Sequence, residues 1–86
     1  MSSDLPSLSP EALSIKKGFY EHFKGGRYEV LGVARHSEDP SDEYVVYVSL
    51  KNPDRLWIRP VKMFVETVER EGETFPRFKY LGKDLP

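Results

Sequence analysis

The chain has 86 residues, which is the length of one small domain. With 38% hydrophobic and 31% charged residues, it has the composition of a globular protein and not of a disordered one. It contains no cysteine, which excludes disulfides, thiolate metal sites and cysteine nucleophiles, and its formal net charge of −1 argues against nucleic-acid binding driven by bulk charge.

The amino-terminal segment divides into a tail and a short helix. Residues 1–8 are rich in Ser and Pro, and we expect a flexible tail there. Ser9 is a suitable helix cap and Pro10 suits the first helical position, so a short helix is predicted over residues 9–17, with disorder as the alternative. The tail lacks the basic and apolar regions of a signal peptide, and no run is long enough for a membrane helix, so we expect a cytoplasmic protein without membrane contact.

The pattern after the helix is typical of β-structure, and residues 18–86 are predicted to form a single small β domain. An aromatic strand is followed by the hairpin signal Gly25-Gly26, and Gly32 favours a bulge in the next strand. The β-branched and aromatic run that comes third predicts a central strand buried on both faces. These three strands are predicted over residues 19–24, 28–35 and 44–50, with a polar loop at 38–42.

Shorter segments complete the domain. A strand over residues 56–59 ends at Pro60, because proline cannot donate a backbone hydrogen bond. Further elements are a turn at 52–54, one helical turn at 60–64, strands at 64–69 and 75–81, and a turn at 71–73. Consecutive short strands with short connections predict a mainly β, antiparallel fold: a small SH3-like barrel, or else a strongly bent sheet backed by the N-terminal helix.

Five short segments stand in a fixed order and spacing over about residues 18–81. They are Gly18-x-Tyr20-x-His22-x-Lys24-Gly25, Tyr28-x-Val30-x-Gly32-x-Ala34-Arg35-His36-Ser37-Glu38, Val45-Val46-Tyr47, Trp57-x-Arg59-Pro60-x-x-Met63-Phe64 and Pro76-Arg77-Phe78. Together they resemble a family of small bacterial domains known as domain-of-unknown-function family sixteen-fifty-three, although Phe23 stands where many members would have a tyrosine. The resemblance implies a standalone small bacterial domain and no particular activity.

The polar segment Arg35-His36-Ser37-Glu38 directly follows a predicted strand. His36 and Glu38 would share one face of a regular strand, where a carboxylate could orient the imidazole as a general base. They are the candidate catalytic residues, but Ser37, the nearest nucleophile, would point to the opposite face. The alternative is that they satisfy backbone groups of the loop or pair with Arg35 or Arg59.

A metal site would need a third ligand from another segment. His22 could supply it beside His36 and Glu38, but the spacing matches no established metal-binding pattern. The commoner arrangement is a histidine or tyrosine whose polar tip reaches a backbone group. We therefore predict no metal and no cofactor.

Three arginines, Arg35, Arg59 and Arg77, lie beside apolar residues at strand ends. If these strands are neighbours, the guanidinium groups could converge and bind a carboxylate or a phosphate. The alternative is a set of ion pairs with acidic residues that order the domain, the candidates being Glu38, Glu43 and Glu66.

Trp57 is predicted to belong to the core. In the alternative, Trp57, Tyr47 and Tyr20 line a groove for an extended peptide or for unpaired bases. A basic rim would then come from Lys24, Arg27 and Lys79.

The sequence is compatible with three functions. We favour a noncatalytic binding or interaction module over an enzyme, because no complete catalytic set is present. Its candidate ligand-binding residues are Arg35, His36, Glu38, Trp57, Arg59 and Arg77. Its partner would be a protein, a peptide or a small anionic ligand; the alternatives are a small barrel that associates with nucleic acid and a hydrolase-like enzyme that uses His36 and Glu38. We expect a monomer or a weak homodimer, since exposed strand edges can pair.

Overall fold

The structure, a computed structural model, describes residues 7–84. Along the chain the elements are α1 (Pro10–Leu13), β1 (Gly18–His22), β2 (Arg27–His36), β3 (Asp39–Ser49), β4 (Asn52–Pro60), α2 (Val61–Phe64), β5 (Thr67–Arg70), β6 (Glu73–Pro76) and β7 (Phe78–Gly82). Five strands form one antiparallel sheet in the order β4-β3-β2-β1-β7, and β5 pairs with β6 in a separate hairpin. The mainly β, antiparallel prediction is confirmed.

Helix α1 begins where the sequence predicts and ends four residues early. The Ser9 hydroxyl caps it by accepting a hydrogen bond from the Ala12 backbone N–H at 3.1 Å. Beyond the helix, the Tyr20 hydroxyl accepts from the Lys16 N–H at 3.1 Å and donates to the Lys16 carbonyl at 2.8 Å, which takes those groups away from a helical ladder. Most of the predicted tail, residues 1–6, lies outside the described residues.

Two predicted turns are in fact strand. The polar loop expected at 38–42 is shorter, because β3 already begins at Asp39 and pairs with His36. Likewise β4 begins at Asn52, so the proline-containing segment expected to turn belongs to the strand. Strand β4 lies at an edge of the sheet, where a proline without a backbone donor is tolerated.

The central part of the sheet agrees with its prediction. Strand β3 pairs with β2 on one side and with β4 on the other. Val45 and Val48 are both buried although they point to opposite faces of the sheet. The register of β2 against β3 shifts between Val30 and Gly32, which is the bulge that Gly32 favours.

The core lies on one face of the sheet, the inner face, which carries Val30, Val45 and Tyr47. Helix α1 and helix α2 cover part of this face, and Ala12 and Phe64 are buried there with Phe78. Strands β4 and β7 form opposite edges and do not pair with each other, so the prediction of a closed barrel was wrong. The physical reason is that the helices and aromatic rings cover the inner face without closure, as in the alternative of a helix-backed sheet.

The predicted last strand is divided at Arg77. Its backbone N–H donates to the Glu66 carbonyl at 3.0 Å, and its carbonyl accepts from the Phe23 N–H at 2.9 Å. Residues before this point therefore pair with β5, and residues after it pair with β1. Within the described residues, no helix is long and apolar enough to cross a membrane.

Candidate ligand-binding groove

Three aromatic side chains from adjacent strands form an open cleft on the inner face. Trp57 on β4 lies directly opposite Tyr47 on β3, and the rings of Tyr47 and Tyr28 meet edge to face with centroids 5.6 Å apart. The cleft has a volume of about 220 Å³, and we call it the aromatic groove. Its lining residues are Tyr28, Tyr47, Ser49, Asn52, Arg55 and Trp57.

Trp57 is the exposed wall of the aromatic groove. Its residue surface is 52% exposed, whereas Tyr47 is buried, so the prediction that Trp57 belongs to the core was wrong. Strand β4 is an edge strand, and the rings that cover the inner face, such as Phe78, contact Tyr47 and not Trp57. An aromatic ring of this size left half in water is a favourable surface for a flat ligand.

Tyr28, and not Tyr20 as predicted, is the second tyrosine of the aromatic groove. Tyr20 is buried against Phe64 and Tyr80, with centroids 5.2 and 5.1 Å away, and lines a different cavity. Tyr28 could have been found from the strand pattern, because it stands two residues before Val30 and so shares its face.

Arg59 is fixed beside the aromatic groove. Its Nε donates to the Tyr47 hydroxyl at 3.4 Å, and its guanidinium carbon lies 5.6 Å from the centroid of Phe78. A guanidinium over an aromatic face is attracted by the ring electrons, which holds the cation on this side of the sheet. Of the predicted site residues, Arg59 and Trp57 therefore share one surface.

His22 lies next to this aromatic cluster, with its ring 4.9 Å from Phe78. Its Nδ1 accepts a hydrogen bond from the Lys24 N–H at 3.1 Å, so the polar tip satisfies the turn, as the commoner arrangement predicts. Burial lowers the pKa of His22 below its usual 6.5, and the nearby charges of Arg77, Arg59 and Lys24 lower it further.

The lowered pKa of His22 predicts that the folded protein loses stability in mild acid, at a pH above that at which carboxylates titrate. Because the unfolded chain binds the proton of His22 more tightly than the folded one, stability should fall as the pH drops below 6.5 and should be independent of this group above it. Melting temperatures from neutral pH to about pH 5 should decline in the wild type and in His36→Gln, and decline less in His22→Gln. Equal slopes in all three proteins would contradict the assignment.

Arg77 acts as a junction between the sheet and the β5–β6 hairpin. Besides its two backbone bonds, its Nη2 contacts the Glu66 carboxylate at 3.2 Å, and its guanidinium lies 5.8 Å from the Phe23 ring centroid. This is the ion-pair alternative foreseen for the arginines, with Glu66 as the partner.

Replacing the guanidinium should therefore affect stability. We expect Arg77→Met to lower the free energy of unfolding by about 1–2 kcal/mol, the sum of an ion pair and a cation–π contact. Arg70→Met is the matched control. The guanidinium of Arg70 also lies 5.8 Å from the centroid of the Phe23 ring, but the ion pair with Glu66 is made by Arg77. Urea denaturation should rank Arg77→Met as the less stable variant; the reverse order would refute the junction.

Arg35, His36 and Glu38 lie elsewhere. Arg35 and His36 end β2 and Glu38 follows it; His36 is eight residues from Tyr28, which at the usual rise is about 25 Å. The Nδ1 of His36 accepts a hydrogen bond from the Glu38 backbone N–H at 3.0 Å within the exposed turn. This is the loop-satisfying alternative, and the six candidate residues do not converge on one pocket.

Arg35 faces Glu43 across the β2–β3 pairing. The Glu43 carboxylate accepts from the Ser9 hydroxyl at 2.6 Å and from the Ser9 N–H at 2.8 Å, and these bonds, with a smaller contribution from Arg35, lower its pKa. Glu43 thus joins the start of α1 to the sheet. Over residues 7–84, no group of three or more His, Cys, Asp or Glu side chains is placed to hold a metal ion.

The comparisons with known proteins agree with the sequence resemblance. The family model described as "Protein of unknown function (DUF1653)" matches residues 18–80. The crystal structure of a protein of this family from Bordetella bronchiseptica is 33% identical, covers 87% of this chain and 97% of its own, and superposes with a TM-score of 0.75. No curated protein matches. The matched segment contains every residue of the aromatic groove, and the chain belongs to the DUF1653 family.

Proposed function

We propose that this protein is a noncatalytic binding module that takes its ligand in the aromatic groove. The observation that supports this best is the exposed Trp57, which stands on an edge strand beside Tyr47 and Tyr28. Binding sites commonly combine aromatic walls with a few placed polar groups. Here Asn52 and Arg55 supply such groups, so a flat or extended ligand that carries negative charge fits the chemistry of the cleft.

The contacts of the two histidines favour binding over catalysis. In His22 and in His36, the Nδ1 atom accepts a backbone N–H from the residue two positions later. An imidazole used in this way would have to break its turn to receive a proton at that nitrogen. This contact therefore supports a structural role of His36 in the turn more than a role as a general base with Glu38.

Fluorescence tests the proposal directly, because Trp57 is the single tryptophan of the chain. The probes are AMP, phenyl phosphate and a decaproline peptide, each titrated to millimolar concentration. We expect at least one to change the Trp57 emission in a saturable way, with weaker binding to Tyr28→Ala. Leu56→Ala is the control, since Leu56 neighbours Trp57 but points to the opposite face.

Two results would overturn the proposal. One is an unchanged Trp57 emission with all three probes. The other is equal weakening by Tyr28→Ala and Leu56→Ala, which would place the bound probe outside the aromatic groove.

A further inference from the structure

We propose that the ligand of the aromatic groove is a single-stranded nucleic acid, an inference that rests on the proposed function. Its first support is a second open cleft of about 480 Å³ at the same end of the sheet, which we call the basic cleft. It is lined by Lys24, Gly25, Gly26, Arg27, Leu50 and Lys51.

The two clefts lie at the same end of the sheet. The Leu50 backbone N–H donates to the Arg27 carbonyl at 3.2 Å, which ties the β1–β2 and β3–β4 connections together. Arg27 directly precedes Tyr28, and Leu50 directly follows Ser49, so the linings of the two clefts are chain neighbours on the paired strands β2 and β3. Neighbouring residues of a strand point to opposite faces, so a chain molecule that leaves the aromatic groove here would reach the basic cleft by passing around the end of the sheet.

Charge is distributed unevenly along the sheet. Among residues 7–84, neither cleft is lined by an Asp or Glu side chain, whereas four cations line them: Lys24, Arg27, Lys51 and Arg55. Carboxylates flank the clefts without lining them: Glu21 pairs opposite Arg27, and Asp54 adjoins Arg55 in the chain. The opposite end of the sheet carries Glu38, Asp39, Asp42 and Glu43. The formal net charge of −1 therefore does not exclude a local basic surface at these clefts.

This combination fits unpaired nucleotides better than a duplex. Every base has a flat face that can stack on Trp57 or Tyr28, and the Asn52 amide can bond base edges or sugars. The phosphates would then follow the cations of the basic cleft. In a duplex the bases are stacked on each other and could not reach the aromatic walls.

The experiment measures anisotropy of a fluorescein-labelled thymidine dodecamer and of the uridine equivalent over a series of salt concentrations. Four phosphate contacts predict a log–log salt slope of up to about −2.8 for a single strand. Lys24→Gln/Lys51→Gln should reduce the slope by about 1.4. Lys62→Gln, an exposed lysine on α2 outside both clefts, should leave it unchanged.

The contribution of stacking is measured separately. Trp57→Ala should weaken binding roughly 5- to 150-fold, the range for loss of one base–aromatic stack. A DNA duplex of the same length should compete poorly. Equal binding of duplex and single strand, no binding at low salt, or identical slopes for the double variant and Lys62→Gln would each overturn the inference.

The outcomes also separate this inference from the function on which it rests. If decaproline or phenyl phosphate changes Trp57 emission while neither dodecamer binds, the groove is a binding site for another ligand and the nucleic-acid inference fails alone. If all three probes leave the Trp57 emission unchanged, the proposed function fails and this inference fails with it.

Discussion

Replacing Phe78 with alanine should leave most of the protein unfolded at room temperature. Phe78 is only 6% exposed, and its ring stacks on Phe64 with centroids 4.3 Å apart and planes at 5°. It also meets the rings of Tyr28, Tyr47 and His22 edge to face. We expect a loss of about 3–5 kcal/mol, which is comparable to the whole stability of a domain this small.

Circular dichroism with urea denaturation measures this loss. Phe75→Ala is the matched control, because Phe75 is half-buried on the hairpin and its ring is 6.2 Å from Phe23. Phe75→Ala should lower the free energy of unfolding by less than half as much as Phe78→Ala. Similar losses in the two variants would contradict the central position of Phe78.

Adding a methyl group at Gly18 should also destabilise the fold strongly. Its Cβ would lie 2.5 Å from the Gly82 carbonyl oxygen, a backbone atom that cannot move alone, and the residue has φ of +133°. Gly18→Ala must therefore separate β1 from the end of β7 and also strain the backbone. We expect the free energy of unfolding to fall by about 2–4 kcal/mol.

Gly25→Ala separates the two contributions. Gly25 also has a positive φ, of +104°, but nothing lies within 4 Å of an added Cβ. The loss of unfolding free energy in Gly25→Ala should reflect backbone strain alone and be about 1–3 kcal/mol smaller than in Gly18→Ala. If thermal unfolding shows equal losses for the two alanine variants, the close approach of Gly18 and Gly82 is refuted.

Local chemistry made much of the fold predictable. Ser9 caps the helix because its hydroxyl needs only a backbone N–H three residues away, and Gly25-Gly26 permits a turn wherever two strands meet. The bulge at Gly32 likewise depends on the residue itself. Such features are decided by neighbours in sequence and were predicted correctly.

Features that depend on distant parts of the chain were not predictable in the same way. The apolar run around Trp57 has the same composition as a buried strand, and only the strand order shows that it lies at an edge. The division of the last strand at Arg77 depends on Glu66 and Phe23, which approach from two other elements.

We propose the aromatic groove as the ligand site, with Phe78 and its neighbours as the structural core beside it. Chemical-shift mapping of nitrogen-labelled protein with AMP tests this claim most directly. We predict that the largest changes fall on the Trp57 indole and on the amides of Tyr28, Tyr47, Asn52 and Arg55. Changes confined to the turn of His36 and Glu38, or to the cavity beside Phe75 and Pro76, would contradict it.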